Sequence, residues 1–206
     1  GTLDPNATGV LPICIGKATR LAEYVTELPK VYVGEMTLGA VTSSQDFTGE
    51  FLKRSPAGHI GREQAAALIP SFCGQIQQIP PMVSAVKHQG KRLYQLAREG
   101  VEVERQPRTA TIYQLDLLEF IPGEQPKITW RVVCSKGTYV RTLFHDMGQV
   151  LGCGAYLSAL CRTQVGVFRL EDAYTIQQLQ ALVEKEDFRF LLPMTVGVSH
   201  LPKIEI

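Results

Sequence analysis

Apolar residues recur along this chain with two periods, and the places where one gives way to the other divide it into elements. Leu21, Tyr24, Val25 and Leu28 fall at helical spacing, with Thr19 placed to cap the helix and Pro29 to end it. Positions 31–42 alternate instead and predict a strand with Tyr32, Gly34, Met36 and Leu38 on one face. A polar loop, 43–49, follows. A helix is expected over about 62–72 and runs into Gln77-Gln78-Ile79-Pro80-Pro81, whose prolines break any regular element. Positions 82–107 then lose the core pattern: Lys87, Gly90, Lys91, Arg92, Tyr94, Arg98 and Gly100 surround one short helix, an excursion from the body of the fold.

Alternation returns over 109–120 and 127–134, two strands joined by a turn at Pro122-Gly123. The segment 134–141 leads into a helix bearing Val140, Leu143, Met147, Val150 and Leu151 and closed by Gly152. A further strand covers 156–163, and Thr175 with Gln178 forms a capping box for a helix from 176 to about 185. Hairpins beside helices in irregular order predict an α+β fold rather than a repeating βαβ unit. The tail, 191–206, reads as a linker and one strand, too short for a domain.

Composition narrows the class without naming a partner. With 206 residues, 45% of them hydrophobic, the chain can bury a sizeable core, and 21 Lys and Arg against 20 Asp and Glu leave a net charge of +1. No whole-chain field therefore announces nucleic acid or membrane. The local balance says more: positions 87–108 hold six basic and three acidic residues, 131–162 four basic and one acidic, and 171–187 five acidic and one basic. Two basic segments beside an acidic flank suggest one polyanion-facing side, although charge runs of this size are more often plain solvated surface. Cys14, Cys73, Cys134, Cys153 and Cys161 form no C-x-x-C pair and read as reduced core thiols, which removes the usual support for zinc, iron–sulfur or thioredoxin chemistry. No apolar run has membrane length and no signal peptide is visible, so the cytoplasm is the expected compartment.

The candidate chemistry begins at Asp4. Pro5 biases it towards an extended backbone, and Gly1 and Gly9 mark sharp turns or close approaches around it. Such a carboxylate is either a turn residue or a nucleophile or base, and the residues alone leave both open. Three segments taken together go further: G-T-L-D-P-x-A-T-G-V-L-P at the start, P-P-M-x-S-A-x-K-x-x-G-K-x-L-Y-x-L-A-R-x-G from Pro80, and C-S-K-G-T-Y-x-R-T from Cys134. In order and along essentially the whole chain they resemble the TruB family of tRNA pseudouridine synthases.

That resemblance implies the pseudouridine synthase fold, a mixed and mainly antiparallel central sheet flanked by helices, with a thumb-like RNA-binding insertion at about 82–107. It implies isomerisation of uridine 55 in the T arm of tRNA by a monomer, with tRNA as the partner and no metal, cofactor or membrane. Asp4 matches the catalytic aspartate, which attacks either the uracil ring or the ribose anomeric carbon. Arg141 matches its guanidinium partner, which orients a carboxylate through charge-assisted hydrogen bonds. Tyr139 matches a tyrosine at the ring edge for hydrogen bonding or proton transfer, Tyr32 the tyrosine that stacks on the flipped base, and Leu160 an apolar lining residue. Lys87, Lys91 and Arg92 fall in the thumb and are expected on phosphates. Asp46 lies where the family carries a more acidic loop, from which Ser43 and Gln45 depart, and receives no role.

The family has a segment upstream of the Asp4 turn and an RNA-binding module downstream of His200-Leu201-Pro202. The expected organisation is thus a catalytic domain over 1–190, lacking its N-terminal part, with 191–206 a linker and the start of a truncated module. Two relatives in kind stay open, an RNA-guided synthase of a ribonucleoprotein particle and a non-catalytic tRNA-binding or folding protein.

Overall fold

A computed structural model describes residues 2–84 and 86–201, with the backbone alone for Lys87, His88 and Arg98. In chain order its elements are β1 (Thr8–Gly9), a 3-10 turn (Gly16–Leu21), α1 (Ala22–Glu27), β2 (Lys30–Leu38), β3 (Ala40–Thr42), β4 (Phe51–Arg54), α2 (Arg62–Ala66), α3 (Ile69–Phe72), β5 (Gly74–Gln78), β6 (Lys87–His88), β7 (Lys91–Arg92), α4 (Leu93–Arg98), β8 (Arg108–Ile121), β9 (Lys127–Cys134), α5 (Val140–Val150), β10 (Ala155–Val165), β11 (Phe168–Arg169), a 3-10 turn (Leu170–Asp172), α6 (Ile176–Glu184) and a last 3-10 turn (Met194–Val198). The main sheet runs β1-β10-β2-β9-β8-β5, with β11 on β10. Every pair in it is antiparallel except β1 with β10.

One core explains the layering. Along β9 every second residue, Ile128, Trp130, Val132 and Cys134, is buried, as alternation demands of a strand with one covered face. Met36 and Leu38 from β2 and Ala155 and Leu157 from β10 join them, and Leu143, Phe144 and Met147 of α5 with Ala65 and Leu68 close the core from above. Full burial of such side chains contributes about 1.5–3 kcal/mol each. On β8 the phase of burial slips, because a register shift between Ile112 and Gln114 moves the inward set from Ala110 and Ile112 to Leu115. The opposite face carries polar cross-strand pairs instead, Arg131 with Asp116 at 3.1 Å and Lys127 with Glu35 at 3.0 Å.

Several expected elements differ, each for a local reason. Thr19 does not cap α1: its hydroxyl donates back to the Gly16 carbonyl inside the 3-10 turn, and Leu21 stands at the cap without a side-chain bond. The strand over 31–42 is two strands, divided at Gly39 with φ +91°. The helix over 62–72 is also two, since Pro70 near the start of α3 has no N–H to continue α2. The glutamine segment ahead of Pro80 forms part of β5, paired with β8, where the sequence suggested no regular element. Among the described residues of the tail there is a 3-10 turn and no strand; 202–206 lie outside the described residues.

Candidate active site

The opening motif folds as its residues suggest. Ala7 N–H donates to the Asp4 carbonyl at 2.9 Å, closing a turn with Pro5 at its second position. β1 then lies parallel to Cys161 and Arg162 of β10, and Gly9 makes this possible: at φ +120°, a Cβ there would stand 2.2 Å from the Arg162 carbonyl oxygen. The turn is therefore docked on the end of one central strand, and Asp4 keeps its side chain 44% exposed.

Arg141 meets it from α5, 137 residues away. The Arg141 side chain is 3% exposed; its Nη2 donates to Asp4 Oδ1 at 3.3 Å and to the Val83 carbonyl at 2.6 Å, and its Nη1 reaches Asp46 Oδ2 at 3.5 Å. A buried guanidinium in the first turn of a helix is disfavoured both by desolvation and by the helix dipole. Two carboxylates and a carbonyl offset both costs. The Arg141 guanidinium carbon lies 6.0 Å from the centre of the Tyr139 ring, which brings the third expected catalytic side chain to the same group.

Asp46, given no role from sequence, is the best braced member of the cluster. Its Oδ1 accepts from Ser44 Oγ at 2.6 Å, from Thr48 N–H at 3.0 Å and from Thr48 Oγ1 at 2.6 Å, and its carbonyl accepts from Thr42 Oγ1 at 2.7 Å. The Asp46-to-Thr48 bond makes an Asx turn, so the Asp-x-Thr-Gly spacing after a strand was the legible signal. The loop is tied to the sheet by Phe47 N–H on the Leu157 carbonyl and Leu157 N–H on the Gln45 carbonyl, and to α5 by Thr142 Oγ1 on Gln45 Oε1 at 2.7 Å.

Tyr32 and Leu160 stand on adjacent strands, with Tyr32 opposite Arg162 and Leu160 opposite Gly34. A Cβ on Gly34 would meet Leu160 at 3.2 Å and Phe144 at 3.1 Å, so Leu160 lies over the sheet beside α5. Burial raises the pKa of the Tyr32 phenol, opposed by hydrogen bonding and charge from Arg162, itself buried with Nε on the Val10 carbonyl at 2.9 Å. Lys91 and Arg92 belong to a separate unit, the β6–β7 hairpin and α4, where exposed Lys91 pairs with Glu99 at 3.2 Å. The side chain of Lys87 lies outside what is described. Among the described residues, no group of three or more His, Cys, Asp or Glu is arranged to hold a metal, and no helix is long and apolar enough to cross a membrane. All five thiols are free, and burial pushes Cys134 up to about 11, which makes it inert.

Comparison with known proteins places the chain in a family. The model of the TruB family pseudouridylate synthase N-terminal domain matches residues 1–140, and that of the tRNA pseudouridylate synthase B C-terminal domain matches 141–199. The chain belongs to the TruB family. It is 50% identical over 206 residues to the tRNA pseudouridine synthase B of Symbiobacterium thermophilum, covering 100% of this chain and 67% of that protein. With the tRNA pseudouridine synthase B of Alkaliphilus oremlandii it shares 48% over 203 residues, 98% of this chain and 66% of that one. A solved structure of a Cbf5-Nop10-Gar1 complex superimposes with a TM-score of 0.72 at 31% identity, covering 98% of this chain and 53% of the matching one. The chain thus spans about two thirds of these TruB relatives and about half of that solved chain.

Proposed function

We propose that this TruB chain isomerises uridine 55 in the T arm of tRNA to pseudouridine, with Asp4 as the nucleophile. The observation that carries the reading is the shared guanidinium: Arg141 is buried, and of the two carboxylates on it that of Asp4, 44% exposed, has no further hydrogen-bond donor among the described residues. The reaction breaks the bond from uracil N1 to the ribose, turns the base, joins C5 to the same ribose carbon and releases the C5 proton. No atom enters or leaves overall except that proton, which N1 recovers from solvent, so positioned side chains suffice. Asp4 attacks, Arg141 orients it, Tyr139 exchanges the proton at the ring edge, Tyr32 stacks on the flipped base, and Leu160 walls the pocket. Lys87, Lys91 and Arg92 take phosphates, in an excursion over about 82–107 that acts as a thumb on the RNA. Residues 1–190 form the catalytic domain, and the enzyme works as a monomer in the cytoplasm.

The test is conversion of unmodified tRNA, and of an isolated T-arm hairpin, by the purified full-length protein. Pseudouridine at one T-loop uridine of both RNAs is expected. Folded protein that converts neither overturns the reading, and conversion only with an added guide RNA turns it to the guided class.

A further inference from the structure

We propose that Gln78 is a positioning residue of the isomerase, gripping the backbone of Tyr139 at both its polar groups and so setting where the Tyr139 ring and the Arg141 guanidinium stand. The inference rests on the catalytic reading above. Gln78 is the last residue of β5, the outermost strand, and is 2% exposed. Its Oε1 accepts from Tyr139 N–H at 3.0 Å and its Nε2 donates to the Tyr139 carbonyl at 3.1 Å, across 61 residues of sequence. One primary amide thereby meets one peptide donor and one peptide acceptor, in the only orientation that matches both.

Tyr139 needs such a partner. It is the residue before α5, with φ −100° and ψ 104°, so its own backbone is extended and its N–H lies outside the helical hydrogen-bond ladder that would otherwise hold it. Its carbonyl already accepts the first helical bond, from Leu143 N–H at 3.0 Å, and Gln78 occupies the second lone pair. Its N–H has no helical acceptor, and Gln78 supplies one. Five residues after Gln78, the Val83 carbonyl takes Nη2 of Arg141 at 2.6 Å. The stretch that launches the excursion therefore holds Tyr139 by its backbone and Arg141 by its side chain. Both are groups whose displacement by an ångström matters to chemistry far more than to binding.

Two variants of the full-length protein test this, each compared with wild type in kcat and in KM for tRNA. Gln78→Leu keeps the bulk and removes both bonds; kcat should fall by about 10²-fold while KM changes by less than about 3-fold. Q78E keeps the acceptor and offers a donor only when protonated. Its rate relative to wild type should therefore be highest at low pH and fall as the carboxyl ionises and sets a second acceptor against the Tyr139 carbonyl. Burial raises that pKa; the charged groups on the packed elements, Arg108 across the β5–β8 pair, Arg105 on the Pro80 carbonyl and Arg141 on α5, lower it. The readout is the presence of the step, wherever the balance puts it. Melting curves establish that each variant is folded, and if Gln78→Leu is not, the Q78E profile decides. A folded Gln78→Leu with wild-type kcat, a loss shared equally by kcat and KM, or a Q78E ratio flat with pH overturns the proposal. An inactive wild type would instead remove the catalytic reading, and the inference with it.

Discussion

Two loops deliver an aspartate to the same arginine, and they are built oppositely. The loop around Asp46 places three donors on its Oδ1, with Arg141 on Oδ2, and leaves the side chain 14% exposed. Among the described residues, the turn around Asp4 gives its carboxylate Arg141 alone and leaves it 44% exposed. A carboxylate with donors on both oxygens is a poor nucleophile and a good brace; one with an oxygen to spare can react. Under the proposed function, this difference casts Asp46 as the holder of the guanidinium and Asp4 as the reacting group. Arg141 is then shared between a fixed support and a working group.

The sharpest break in that comparison is Asp4→Asn, which keeps shape and removes the nucleophile. Turnover should drop by more than about 10⁴-fold with tRNA affinity nearly intact, measured by tritium release and by filter binding. Pseudouridine formation above about a thousandth of wild type would remove Asp4 from that role. Arg141→Lys comes next. An ammonium is a point charge that cannot fork between two carboxylates and the Val83 carbonyl, so kcat should fall about 10²–10³-fold in single-turnover assays. Asp46→Ala should cost less, about 10–10²-fold in kcat, but it should lower the melting temperature more than Asp4→Asn does, because Ser44 and Thr48 lose their acceptor. Equal kinetic losses for the two aspartates would erase the distinction.

The smallest effect lies on the helix that carries Arg141. Burial raises the Asp146 carboxyl from its usual 3.8 to about 6. Between those values the unfolded chain has released a proton that the folded chain retains, so stability falls as pH rises through this window. Asp146→Asn should leave the melting temperature unchanged near pH 4 and raise it by a few degrees near pH 7.5, read by calorimetry.

Much of this was legible from periodicity. The expected strands at 109–120 and 127–134, the helix ending at Gly152 and the Thr175–Gln178 box all correspond to elements of the fold, because each rests on local alternation or a local cap. Misreadings arose where a short-range signal met a longer one: Pro70 divided a helical pattern, Gly39 a strand, and β5 formed from glutamines because β8 offered it a partner. Motif order likewise identified Asp4, Tyr139 and Arg141, whose meeting the ion pair and the ring distance then displayed.

By itself, then, the sequence determined the family, the elements whose signals are local and the candidate residues for the chemistry, since those depend on spacing within a few residues. Only the tertiary structure decided that Asp46 shares Arg141 with Asp4, that Val83 lends it a carbonyl, and that Gln78 grips Tyr139. These are hydrogen bonds across 58 to 95 residues of sequence, made between groups that burial obliges to find partners. Which partner each one finds is a property of how the strands and α5 pack, and no local pattern encodes it.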